Sequence, residues 1–91
     1  MAHLRRVSDG KGDSGSAVFA ISLNKETGKL EYNQTDRPIV GALLQVGSVT
    51  ARSYSDQDWW RTTFVEEILE EDLEKGYWKF KTENSEYEFW H

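Results

Sequence analysis

Trp59-Trp60-Arg61-Thr62-Thr63-Phe64-Val65-Glu66-Glu67-Ile68-Leu69-Glu70-Glu71-Asp72-Leu73 is the stretch that decides the fold class. It reads two ways. As a helix, it places Phe64, Val65, Ile68, Leu69 and Leu73 on one stripe. Thr63 and Glu66 then have capping-box spacing, and Gly76 sits where a helix would end. As a strand, its threonines beside Phe64 and Val65 suit a pleated surface. Six carboxylates lie between Glu66 and Glu74, four of them toward the C-terminal end, where the helix dipole disfavours negative charge. Periodicity slightly prefers the helix, and residue type prefers the strand.

The segments on either side are less ambiguous. Gly76 to Lys81 alternates, with Trp78 and Phe80 on one face. Thr82-Glu83-Asn84-Ser85 supplies turn residues, and Glu86 to Trp90 alternates again. This is a hairpin with aromatic cross-strand pairs. Upstream, Ala17, Phe19, Ile21 and Leu23 share one face of an expected strand. Asn24 to Gly28 is a turn, and Lys29 to Asn33 returns with Leu30 and Tyr32 on one face. Pro38 breaks the pattern. Ile39 to Val46 is an apolar run long enough for a buried strand, and Ser48 to Tyr54 alternates. Residues 8–16 contain no apolar side chain, so 1–16 is expected to be a mobile arm in front of one domain, 17–91.

The motifs Thr62-x-x-Val65-x-x-Ile68 and Thr82-x-Asn84-Ser85-x-Tyr87, with Gly76 and Phe80 between them, resemble small bacterial and phage proteins of β-meander type. The resemblance covers about the last 45 residues and brings no activity with it. It implies that Trp60 to about Leu69 is a strand. The resulting expectation is a mainly β domain, a small antiparallel meander or SH3-like barrel. An α+β chain with one helix at 64–75 is the alternative.

Composition narrows the chemistry. A 91-residue chain with 37% hydrophobic residues and four each of Trp, Tyr and Phe can fold as one thin-cored domain. It has no cysteine, hence no disulfide and no thiolate metal site. No apolar run approaches a membrane span and no signal-peptide pattern is present, so a cytoplasmic protein with no membrane association is expected. The net charge of −5 is uneven. Residues 1–55 carry seven Lys/Arg against five Asp/Glu, and residues 56–91 carry four against eleven. That second half repels nucleic acid and attracts basic protein surfaces.

Gly12-Asp13-Ser14-Gly15 resembles the surroundings of a chymotrypsin-like nucleophile. Only thirteen residues precede Ser14, so the barrel that would carry a base and an orienting carboxylate has no room. His3 and His91 stand at opposite chain ends, the lysine between Asp9 and Asp13 spoils a calcium loop, and no nucleotide-binding glycine pattern occurs. No cofactor, metal or catalytic residue is expected. The remaining signal is aromatic and acidic: Tyr54, Trp59, Trp60, Tyr77 and Tyr87 with Glu66, Glu67, Glu70 and Glu71. An aromatic row flanked by carboxylates suits a protein partner with a basic surface. The expectation is therefore a non-enzymatic interaction module, of the kind found as accessory proteins of phages or mobile elements. Self-association through sheet edges is a further route. The rival readings are a nucleic-acid mimic that inhibits a defence nuclease, and a small hydrolase using Ser14.

Overall fold

The stretch from Trp59 to Asp72 is one strand of 14 residues. The computed structural model describes residues 2–47 and 60–91, with the backbone alone of Trp59. In chain order the strands are β1 (Ala2–Arg6), β2 (Gly12–Gly15), β3 (Ala17–Leu23), β4 (Leu30–Gln34), β5 (Leu43–Gly47), β6 (Trp59–Asp72), β7 (Tyr77–Thr82) and β8 (Glu86–Trp90). They form a single antiparallel sheet in the order β2-β1-β8-β7-β6-β5-β3-β4. No helix is present among the described residues, so none there is long and apolar enough to cross a membrane. The strand expected at 48–54 lies outside the described residues.

β6 is long because it serves two neighbours. Its first half pairs with β5 and its second half with β7. Its helix-like stripe comes from irregularities in register. Leu43 faces Phe64 but Gln45 faces Arg61, and further shifts separate Val65 from Glu67 and Ile68 from Glu70. Each shift inserts a residue, which turns the strand spacing of two into three and bends the strand. Val65, Ile68 and Glu71 therefore oppose Thr82, Phe80 and Trp78, which alternate normally along β7 and are all buried. At the first irregularity the Thr62 hydroxyl accepts the Leu44 N–H at 3.1 Å and donates to the Thr63 carbonyl at 2.7 Å. A side chain thus does what the interrupted ladder cannot.

Bending brings the inner faces of both sheet halves together. Leu4, Val46, Phe80 and Phe89 are fully buried there, with Val18, Leu44 and Val65 nearly so. The aromatic pairs foreseen for the last hairpin face inward. Phe80 and Tyr87 stack with ring centres 5.4 Å apart, and Trp78 meets Phe89 at 5.7 Å. Trp60 packs against this cluster, and the Arg6 guanidinium lies 5.0 Å from its ring centre, tying the end of β1 to β6.

Three expectations change. Residues 1–16 are not an arm: β1 pairs with both β2 and β8, and Ala2 and Leu4 are wholly buried. The polar segment 7–11 is a tight turn. Gly10 has φ +71°, and the Asp9 carboxylate accepts the Lys11 N–H at 3.1 Å and the Arg6 Nε–H at 3.0 Å. The apolar run Ile39 to Val46 is strand only from Leu43. Ile39 and Val40 are exposed in a turn closed by the Ala42 N–H on the Ile39 carbonyl at 3.1 Å and pinned to β6 by the Gly41 N–H on the Val65 carbonyl at 2.8 Å. Among the described residues the sheet is also not a hydrogen-bonded closed barrel, since β2 and β4 each have one neighbour.

Candidate interaction surface

Residues directly opposite on antiparallel strands share a face, so the register maps the outer surface of the sheet. On β6, β7, β8 and β1 it is a ladder of alternating charge. Glu67 faces Lys81, which faces Glu86; Glu70 faces Lys79, which faces Glu88, which faces Arg5. One row beyond is aromatic. Tyr77 lies 5.5 Å from Trp90 and His3 lies 5.4 Å from it, ring centre to ring centre. Arg5 sits 5.5 Å over Trp90 and is ion-paired with Glu88, which also accepts the Tyr77 hydroxyl at 2.9 Å. The Arg5 guanidinium holds the Glu88 carboxyl below its ordinary value. Burial, and then the Glu88 carboxylate, push Tyr77 up to about 12.

The other half of the outer face, on β4, β3, β5 and the start of β6, is apolar. Leu23 faces Leu30, Ile21 stands between Tyr32 and Leu43, and Leu43 faces Phe64. Ile21 is fully buried although it lies outside the core cluster, because these neighbours cover it. The neighbours themselves stay open: Leu23 is 48% exposed, Leu30 43%, Tyr32 52% and Phe64 44%. Arg61 braces one border. Its guanidinium donates to the Gln45 side-chain oxygen at 2.9 and 3.0 Å and to the Tyr32 hydroxyl at 3.0 Å. Phe19 meets the Tyr32 ring edge-on at 6.5 Å.

The sequence-derived candidates do not form one row. Glu66, Glu67, Glu70 and Glu71 are exposed along β6, but Glu67 and Glu70 stand opposite lysines, which leaves little unbroken acidity. Tyr77 is half-buried on the outer face. Tyr87 is 5% exposed in the core and cannot anchor a partner. Trp60 is half-buried against the core. Tyr54 and the Trp59 side chain lie outside the described residues.

The alternation of β3 shows which residues share a face but not which face is outermost, and this is why the patch was missed. Ala17, Phe19, Ile21 and Leu23 do share a face, but Val18 and Ala20 are the residues that face the interior. The signal was available, since Ala17 to Ile21 is apolar on both faces, and such strands are covered on both faces.

Ser14 lies exposed on β2, directly opposite His3, yet no hydrogen bond joins them among the described residues and the His3 ring is packed on Trp90. His91, just past the end of β8, stacks on Phe89, while His3 of β1 packs on Trp90, so the two histidines rest on different rings. Among the described residues no cluster of His, Asp and Glu could hold a metal. A depression of about 490 Å³ lies between Val7, Ser8 and the Thr82–Glu86 turn. No protein-family model, curated protein or solved structure matches the chain.

Proposed function

We propose that this chain is a non-enzymatic protein-interaction module that docks a partner on the apolar outer face of β4, β3, β5 and β6. The observation that carries the reading is the contiguous set Leu23, Leu30, Tyr32 and Phe64, each more than two-fifths exposed around a buried Ile21. Small monomeric proteins rarely leave such rows open, and when they do the rows mark interaction sites. The partner presents an apolar centre, with basic residues toward the side where Glu66, Glu67, Glu70 and Glu71 continue β6 away from the patch. The resemblance to small phage and bacterial proteins fits an accessory role of this kind. A nucleic-acid mimic requires uninterrupted carboxylates, whereas those of β6 and β8 alternate with Lys79 and Lys81 of β7.

The test is affinity capture from the source cell's lysate with the native chain and with a Leu23→Thr, Phe64→Thr variant, which keeps β propensity and removes apolar area. A partner held by the first and lost by the second, with unchanged circular dichroism, is the expected result. Equal capture by both would refute the location.

A further inference from the structure

We propose that the edge of β4 that has no neighbour among the described residues pairs with β4 of a second copy, joining two sheets about a two-fold axis at Tyr32. Beyond the β3–β4 turn the Asn24 N–H bonds to the Lys29 carbonyl at 2.9 Å, and at the other end the Thr35 N–H bonds to the Val18 carbonyl at 3.1 Å. In an antiparallel ladder, hydrogen-bonded pairs recur at every second residue. Glu31 opposite Ser22 and Asn33 opposite Ala20 are therefore the pairs that bond to β3. Leu30, Tyr32 and Gln34 direct their N–H and C=O groups away from β3, along the open side.

Apart from the single charge of Glu31, that edge lacks the usual protections. It has five residues, no proline, no lysine and no register shift against β3. The opposite edge of the sheet is different. β2 has four residues with glycine at both ends, and its strand lies against β5 and β6 across the interior. A head-to-tail β4–β2 contact is thereby disfavoured, which leaves the isologous β4–β4 pairing.

Of the registers that its free groups allow, the one centred on Tyr32 pairs all five β4 residues, and in it the sequence is complementary to itself. With Tyr32 opposite its own copy, Leu30 meets Gln34 and Glu31 meets Asn33, so no like charges oppose one another and Glu31 faces an amide. Lys29, just before the strand, comes beside Thr35 and Asp36 of the second copy. The exposed Leu30 and Tyr32 of each copy then lie on one face of the joined sheet, so the apolar strip runs on across the axis. This inference concerns the backbone edge of β4; Leu30 and Tyr32 also line the docking face proposed above, whereas Gln34→Pro tests the edge without touching the apolar side chains of that face.

Sedimentation velocity and residue-resolved amide exchange, from micromolar to near-millimolar chain, test it. Expected are a dimer at the higher concentrations and an alternating exchange pattern. The amides of Leu30, Tyr32 and Gln34 become protected with concentration, while those of Glu31 and Asn33 are protected throughout. Tyr32→Lys places two like charges across the axis and should abolish the dimer; so should Tyr32→Glu alone. Mixing the two variants should restore a one-to-one dimer. Gln34→Pro, which removes an outward N–H and leaves the bonds to β3, should also give monomers. A monomer at every concentration overturns the proposal, as does a dimer that survives both Tyr32→Lys and Gln34→Pro.

Discussion

Glu88 accepts from Arg5 on one side and from the Tyr77 hydroxyl on the other, and at this residue the charge ladder has a measurable consequence. Its carboxyl is held below the ordinary glutamate value of 4.5, first by the Arg5 hydrogen bond. Asp9, bonded to Arg6 and to the Lys11 N–H, is lowered to about 2. Carboxyls depressed by folding stabilise the native state above their unfolded values. That stability is lost as pH falls from about 4.5 through the folded values. The urea midpoint should therefore drop over that acid range, and Glu88→Gln should flatten the drop while leaving an acceptor for Tyr77. A second residue-scale test is Gly76. Its φ of +62° and an added Cβ 2.3 Å from the His91 carbonyl oxygen predict that Gly76→Ala costs about 1–3 kcal/mol in chemical denaturation. Ser14→Ala, on an exposed strand, should change stability by no more than about 0.5 kcal/mol. Labelling of Ser14 by a fluorophosphonate would contradict the non-enzymatic reading.

Among the elements, β6 shows what the sequence could and could not disclose. Residue type pointed to a strand and periodicity to a helix. Residue type was the better guide, because three register shifts gave the strand a spacing of three. Such shifts depend on what the neighbouring strand needs, and Thr62 shows the local solution. Thr62→Val keeps the shape but leaves the Leu44 N–H without an acceptor, so denaturant unfolding should show a loss of about 1–3 kcal/mol. The last hairpin was legible almost residue for residue, as its turn and aromatic alternation are local. The β1–β2 hairpin was not. Its polar turn dominated the composition, whereas the burial of Ala2 and Leu4 depends on the remote β8. Leu4→Ala should cost about 2–5 kcal/mol by the same measurement, far more than any change in a mobile arm.

At the scale of the whole molecule, bending the sheet at β6 divides the outer surface into a neutralising charge ladder and an apolar field. The aromatic and acidic residues legible in the sequence are distributed between the core, the ladder and the outer face. The apolar field was legible only as the two-faced apolar run of β3, because inward and outward apolar residues look alike until the register is known. Burial of Ile21 outside the core makes the distinction. The central claim, that this field docks the partner, is tested most directly by association kinetics with the captured partner. Phe64→Thr should raise the off-rate and weaken binding by about 2 kcal/mol if Phe64 is an anchor. Replacing Glu66, Glu67, Glu70 and Glu71 by Gln should mainly slow association. Binding that is indifferent to Phe64→Thr but collapses with the four Gln changes would contradict the account and return the interface to the acidic half.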